Sequence, residues 1–485
     1  MRAIWLAGVA LVTTGMGLGA AQADTLRDAL VRTYTGNPSI TAARARLRAI
    51  DENVSIARAD GRPRLFGQAG ITQDYLGTKL RDGGRALTGS VQLDYPLFQG
   101  GRVKNGIKAA DARVMAGRAD LRATEGDVFT DAVGAYMDVI RDTSIVELNA
   151  NQVRVLATNL DASQQRFQVG DLTRTDVAQS EARLSLARSD YAAAQGRLTV
   201  SQQNYERLIG APPGTLEPPP PLPALPASAD QAVEVALTNN PNLASAGAAA
   251  QAAGFDVRTA NANRLPTLSA TTGASYSNFL GTQDRRFGPG FPNDETASSV
   301  GLSARIPLYQ GGGVAAQVRQ ARALESQSLE QTIETERFVI ASVRGSFASY
   351  RAAQEQIRSS EAAVAANRLA LEGTRAENSV GSRTILDVLN AEQELLNSQV
   401  SLVSARRDEY VAGFALLNAM GQAEMRDLGL DGGPLYDPVA NYNRVSRSAS
   451  DWGSGPKPVP QATRTIGDLP SPVVSPVLHY DVPMK

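Results

Sequence analysis

The 485-residue sequence contains no cysteine and one histidine, His479. No disulfide framework, cysteine metal site or thiol nucleophile can be built from it. A Ser-His-Asp triad would have to recruit its base from a Pro-rich C-terminal stretch, which is poor ground for the geometry a triad needs. Hydrolysis by carboxylates alone is not excluded by composition, but no other feature asks for it. No catalytic, cofactor-binding or metal-ligating residue is therefore assigned. Aromatics are scarce, at 5%, and there is no charge excess, with 48 Lys+Arg against 49 Asp+Glu. Nothing in that balance points to nucleic acid. Beyond the N-terminus no stretch offers ~20 uninterrupted apolar residues, so no later spanning helix is expected. What is plentiful is Ala, Val and Leu, a mixture suited to long helices packed through small side chains.

The first residues read as a signal peptide, 1–23. Arg2 is the charged start, Ile4 to Leu18 the apolar stretch, and Ala21-Gln22-Ala23 a small-residue cleavage site. The alternative is an uncleaved anchor, for which the apolar stretch is short. The mature chain is expected to begin at Asp24, and no cysteine follows to carry a lipid. The reading places the protein in the periplasm, outside the cell, or in the outer membrane as a barrel.

The chain is then written twice. Asn37-Pro38 recurs as Asn240-Pro241, and Arg62-Pro63 is matched by Leu265-Pro266, each 203 residues apart. Tyr95-Pro96-Leu97-Phe98-Gln99-Gly100-Gly101 recurs as Ile306-Pro307-Leu308-Tyr309-Gln310-Gly311-Gly312, 211 residues apart. Val169-Gly170 and Val380-Gly381, Asp176-Val177 and Asp387-Val388, and Gly210 and Gly421 keep the same spacing. The jump between the two spacings puts a longer loop in the second copy, around Gly281 to Glu295. The domain reading is a first repeat over 24–211, a Pro-rich linker over 212–228, a second repeat over 229–421, and a tail over 422–485. Eight prolines between Pro212 and Pro226 make the linker extended and non-helical. The tail is expected to be largely disordered, above all from Asp437 to Lys485.

Each repeat opens with a short helix ended by Asn-Pro, because the residue before proline is biased out of the α region. A helix of about 24 residues follows, and then the hydrophobic period changes to two. Leu268, Ala270, Ala274 and Tyr276 fall on one side of a strand, opposite Thr267, Ser269, Thr271, Ser275 and Ser277. Val300, Leu302, Ala304 and Ile306 alternate with Ser299, Gly301, Ser303 and Arg305 in the same way, as do Val91, Leu93 and Tyr95 with Ser90, Gln92 and Asp94. The Leu65 to Tyr75 stretch is weaker but aligned. Transmembrane strands need ~9–11 residues with this alternation. A soluble two-stranded hairpin lying on a helix would show it too. Tyr75, Tyr95, Phe98, Tyr276, Phe279, Phe287, Phe291 and Tyr309 gather near the strands, as in an interfacial girdle or simply by β-propensity. Four strands cannot close a barrel, since the smallest need ~8. Strands in lipid would therefore have to be shared between chains, because unpaired backbone groups there are costly.

After each Gly-Gly comes a proline-free helical stretch, Arg102 to Gln168 in the first copy, which at 1.5 Å per residue is about 100 Å long. A second helix returns from about Arg174 to Ile209, and the pattern repeats from Gly313 to Met420. Its apolar positions follow coiled-coil spacing, for example Val388, Ala391, Leu395 and Leu402. The fold class is α+β: a shared transmembrane β-barrel with four strands per chain, continuing into a long coiled-coil helical barrel.

These features resemble the TolC family of outer-membrane channel-tunnels over nearly the whole mature chain to Gly421. The duplication, the Pro-Leu-Phe/Tyr-Gln-Gly-Gly strand exits and Val380 to Leu389 (VGSRTILDVL) carry the resemblance. It implies a homotrimer in outer-membrane lipid, extending into the periplasm and closed at its far end. Its implied partners are a periplasmic adaptor (membrane fusion protein) and an inner-membrane transporter, and its implied role is a passive conduit for protein secretion or small-molecule efflux. A soluble periplasmic coiled-coil adaptor or scaffold without a barrel is the competing reading. At the tip, Gly170 and Gly381 suit left-handed helix caps, and Thr173 and Thr384 suit N-caps with Asp176 and Asp387 in the first turn. The resemblance adds roles. Arg383 matches a gate arginine, Thr175 and Asp176 its partners on a neighbouring helix pair, and Asp387 a carboxylate ringing the constriction. Asn390 stands where a second ring carboxylate is expected, and Asn378 where a gate tyrosine is. Val169, Gly170, Asp171 and Leu172, with Val380, Gly381 and Ser382, match the adaptor-binding tip.

Overall fold

The computed structural model describes residues 24–73, 75, 84–282, 290, 292–429, 435–453 and 455–465. The expected signal peptide, Phe287, Phe291, most of the expected longer loop, and His479 lie outside the described residues. The first repeat runs α1 (Leu26–Gly36), α2 (Pro38–Ala59), β1 (Arg64–Gln73), β2 (Arg85–Phe98), α3 (Arg102–Gln168) and α4 (Arg174–Ile209). The second runs α5 (Ala229–Asn239), α6 (Pro241–Ala262), β3 (Thr267–Asn278), β4 (Asp294–Arg305), α7 (Gly313–Ser379) and α8 (Ile385–Ala419), followed by a short α9 (Ala440–Val445). The paired helices match in length: 11 residues in α1 and α5, 22 in α2 and α6, and 67 in α3 and α7.

Asn37 and Asn240 do more than break a helix. Each is the N-cap of the helix that its proline starts: Asn37 Oδ1 accepts from the Ser39 N–H at 2.8 Å and Asn240 Oδ1 from the Asn242 N–H at 2.9 Å. Each then turns its amide outward to a distant helix end. Asn37 Nδ2 donates to the carbonyl of Leu208, and Asn240 Nδ2 to that of Ala419, both at 2.8 Å. One asparagine thus satisfies an orphan N–H at the start of one helix and an orphan C=O at the end of another.

The four strands form one antiparallel sheet in the order β1-β2-β3-β4. Its register sorts the side chains. Leu65 pairs with Leu93, Ile71 with Leu87, Val91 with Ala274, Tyr95 with Ala270, Ala270 with Leu302, and Leu268 with Ala304. Because side chains alternate in a strand, these pairs share one face. The offset pairs, Ser90 with Ser275, Asp94 with Thr271 and Ser269 with Ser303, fall on the other. Ile71 is 71% exposed and Val300 88%, so among the described residues no helix covers the apolar face, which goes against the hairpin-on-a-helix alternative. Phe66 is the exception to the alternation, since it pairs with Gln92 on the polar face.

The main core lies part-way along the rods. Phe129 and Tyr136 of α3, Tyr205 of α4, and Leu416 and Leu417 of α8 are fully buried there, with Leu26 and Leu30 of α1 and Ala232 and Ala236 of α5 packed around them. The linker is extended and contributes Leu216, Leu222 and Leu225 to the same cluster. Asp24 forms a parallel bridge with Leu216. The Tyr136 hydroxyl sits between the carbonyls of Asp24 and Glu217, at 2.9 and 2.7 Å.

The expectation of a largely disordered tail is corrected over 435–465. Arg44 lies 4.2 Å from the ring centre of Tyr34 and 5.1 Å from that of Tyr436. Asn441 donates to Asp51 at 2.8 Å and Tyr442 to Asp111 at 2.9 Å, and Val445 and Ser446 are buried. A polar, Pro-rich composition argues for disorder only when a segment has no docking surface. Here α2 and α3 supply one, through cation–π stacking and charged acceptors. Residues 466–485 lie outside the described set.

Candidate functional site

The two ends where α3 turns into α4 and α7 into α8 are built alike. Gly170 and Gly381 take φ of +80° and +79°, where a side chain would be strained. The next N–H closes back over the helix end, Asp171 to the Arg166 carbonyl at 2.9 Å and Ser382 to that of Glu377 at 3.0 Å. The returning helices open with reciprocal capping boxes. Asp176 accepts from the Thr173 N–H at 2.9 Å and from its hydroxyl at 2.7 Å. Asp387 accepts from the Thr384 N–H at 3.0 Å and from its hydroxyl at 2.8 Å. Hydrogen bonds from Thr173 and Thr384, side chain first and backbone second, hold both carboxyls below the usual aspartate range.

The residues singled out for a gate separate into two groups. Arg383 does not meet Asp176 within the chain; its Nε donates to Glu377 on its own hairpin at 2.8 Å. The Glu377 hydrogen bond, then its charge, raises the Arg383 guanidinium further above its already high range. Asn378 is used locally as well, its amide donating to the Arg383 carbonyl at 2.8 Å. Asn390 does reach across hairpins, accepting from Arg183 of α4 at 2.7 Å. Thr175 is exposed beside Asp176. The tip residues Val169 and Val380 are exposed apolar side chains at the two turns, with Gly170, Asp171, Gly381 and Ser382 exposed beside them and Leu172 half-buried.

A buried carboxylate above the tip was not found by spacing. Glu392 of α8 is 3% exposed. It accepts from Asn159 Nδ2 of α3 at 3.0 and 3.1 Å and from Arg375 Nη2 of α7 at 2.9 Å. It therefore rivets the two helical hairpins together, beside a small apolar cluster of Leu156, Leu184, Ala187 and Leu389. The usable signal was its phase: Val388, Leu389, Glu392 and Leu396 form the stripe that is actually buried, one position off the Val388, Ala391, Leu395 series. Among the described residues no group of three His, Cys, Asp or Glu side chains could hold a metal.

The family model for "Outer membrane efflux protein" matches residues 29–211 and 232–422, one stretch per repeat. The chain belongs to the TolC family of outer membrane efflux proteins. It is 34% identical over 443 residues to the outer membrane efflux protein BepC of Brucella suis biovar 1, covering 91% of this chain and 94% of that protein. It is 27% identical over 441 residues to the outer membrane protein TolC of Escherichia coli K12, covering 86% of each. The crystal structure of the outer membrane protein VceC of Vibrio cholerae superposes with a TM-score of 0.70 at 23% identity, covering 82% of this chain and 96% of that one, a likeness of fold. This TolC-family protein is thus an outer-membrane export duct that extends into the periplasm, a passive channel and not an enzyme. The reading as a soluble adaptor or scaffold without a barrel falls with that assignment.

Proposed function

We propose that three copies of the chain close one twelve-stranded barrel and continue into a tunnel that is gated at the helical tips. The sheet register carries this reading, because it gathers most of the apolar side chains of the four strands on one face and leaves β1 and β4 as open edges. In lipid each unpaired edge group costs several kcal/mol, so the edges have to pair, β1 of one copy with β4 of the next. The tip then serves as the docking end for a periplasmic adaptor. That adaptor joins the duct to an inner-membrane transporter, which sets the cargo. At the gate, Arg383 exchanges Glu377 for Thr175 and Asp176 of a neighbouring copy, and Asp387 contributes a ring of three carboxylates with Asn390 beside it. Exposed pairs are worth ~0–1 kcal/mol, so such latches bias closure while leaving adaptor binding able to open it. Light scattering on detergent-extracted protein, combined with planar-bilayer recording, tests the assembly. The expected result is a three-copy particle that forms channels. A water-soluble monomer would overturn the reading.

A further inference from the structure

The ordered tail makes a loop whose apex lies at the α2–β1 junction. Tyr436 starts it near the base of α2, donating its N–H to the Tyr34 hydroxyl at 2.9 Å. It then climbs. Asn441 meets Asp51, the Ser55 hydroxyl donates to the Val445 carbonyl at 2.9 Å, and Arg62 donates to the carbonyls of Arg447 and Ser448. Arg62 is two residues before β1 begins at Arg64. The loop then returns to Thr463, which lies against Gly36 and Gly210 back at the base. Ser448 is pinned at Arg62, and Trp452, four residues on, lies within about 14 Å of that contact even when fully extended. It therefore sits near the α2–β1 junction where the sheet leaves the helices, and it is 96% exposed.

The loop also sits on the outside of the duct. On α3 the tail contacts Asp111 and Arg118, and the segment before it contacts Glu125. These positions continue at helical spacing into Phe129 and Tyr136, which bear the layer made by α1, α5 and the linker. That layer would plug the bore if it faced inward, so its side of the rods is the outer wall. On the barrel reading, the apolar face of the sheet meets lipid above that wall.

We propose that Trp452, with the exposed Arg447 near it, is an anchor that seats in the phospholipid headgroup layer of the periplasmic leaflet. Tryptophan's apolar ring with a single N–H donor suits that layer, and an arginine at the same level can extend to phosphate. The anchor rests on the barrel reading and adds a second contact with the membrane, made by the tail.

The chain has two tryptophans, Trp5 and Trp452. In protein processed at Asp24, verified by mass, the intrinsic fluorescence is that of Trp452 alone. The processed full-length protein is reconstituted into phosphatidylethanolamine/phosphatidylglycerol vesicles, with flotation and conductance checked first. Emission blue-shifted from that of free tryptophan, and strong quenching when the acyl chains are brominated near the headgroup, are expected. An emission like that of free tryptophan, quenched by iodide and untouched by brominated lipid, would overturn the anchor while leaving the barrel intact. A blue shift without brominated-lipid quenching would also overturn it, since the ring would then be covered by protein. Failure to float or conduct would remove the barrel reading and the anchor together.

Discussion

At the scale of single residues, the duplicated asparagines make the clearest stability prediction. Asn37→Ala or Asn240→Ala removes an N-cap and leaves the carbonyl of Leu208 or Ala419 without its side-chain donor. Each change should lower stability by about 1–3 kcal/mol, read as a shift of the thermal melt. The tip aspartates predict a pH response. Their folded pKa values are depressed by the capping hydrogen bonds. Their contribution is therefore complete above the unfolded aspartate value of ~3.9 and is lost as pH falls through the lower folded value. Protection of the Thr173 and Thr384 amides, measured against the intrinsic exchange rate at each pH, should hold at neutral pH and fall only below about pH 4, and Asp387→Asn should abolish that step at Thr384. Arg383→Ser is expected to raise single-channel conductance in planar bilayers. Unchanged conductance would leave Arg383 as a loop-stapling residue for Glu377 and nothing more.

At the scale of elements, the Glu392 rivet is a buried polar contact that spans the two helical hairpins. Glu392→Ala strands the Asn159 amide and the Arg375 guanidinium, and should destabilise the hairpin contact by about 1–3 kcal/mol. Faster amide exchange in the lower halves of α3 and α8, with the main core around Tyr136 unaffected, would show this. The long helices were legible in the sequence to within about a residue, because Gly-Gly and Val-Gly punctuate them and no proline interrupts them. The strands were legible because Ser, Thr and Gly alternate with Val, Leu and Ala. Glu392 was not legible, since a polar residue in an apolar stripe is invisible until the stripe's phase is known. The partner of Arg383 was hidden for a related reason: a charge on a tip can reach its own hairpin or a neighbour, and spacing does not choose. The docked tail was missed because its holdfasts, Arg44, Asp51 and Asp111, are far away in sequence and look like ordinary surface charges.

At the scale of the whole molecule, the two sheet faces should tolerate charge very differently. Val300→Arg places a cation on the lipid-facing side and should cost about 2–4 kcal/mol if it lies near the bilayer midplane. Ser299→Arg, one residue away and on the opposite face, should leave assembly intact. The yield of heat-resistant oligomer from unboiled membranes would separate the two. Equal loss in both variants would mean that the sheet is not half lipid and half water.

The polar face of the sheet has a consequence for traffic. Ser90, Thr271, Ser275, Ser277, Gly301 and Ser303 are short, uncharged and all on that side. Hydroxyls this small hold a film of solvent, and exchanging one of their water contacts for a passing molecule changes little. Away from Arg64, Asp94, Glu295 and Arg305, which share this face nearer the strand ends, a stretch of wall dressed in serine and threonine offers a passing molecule few firm holds.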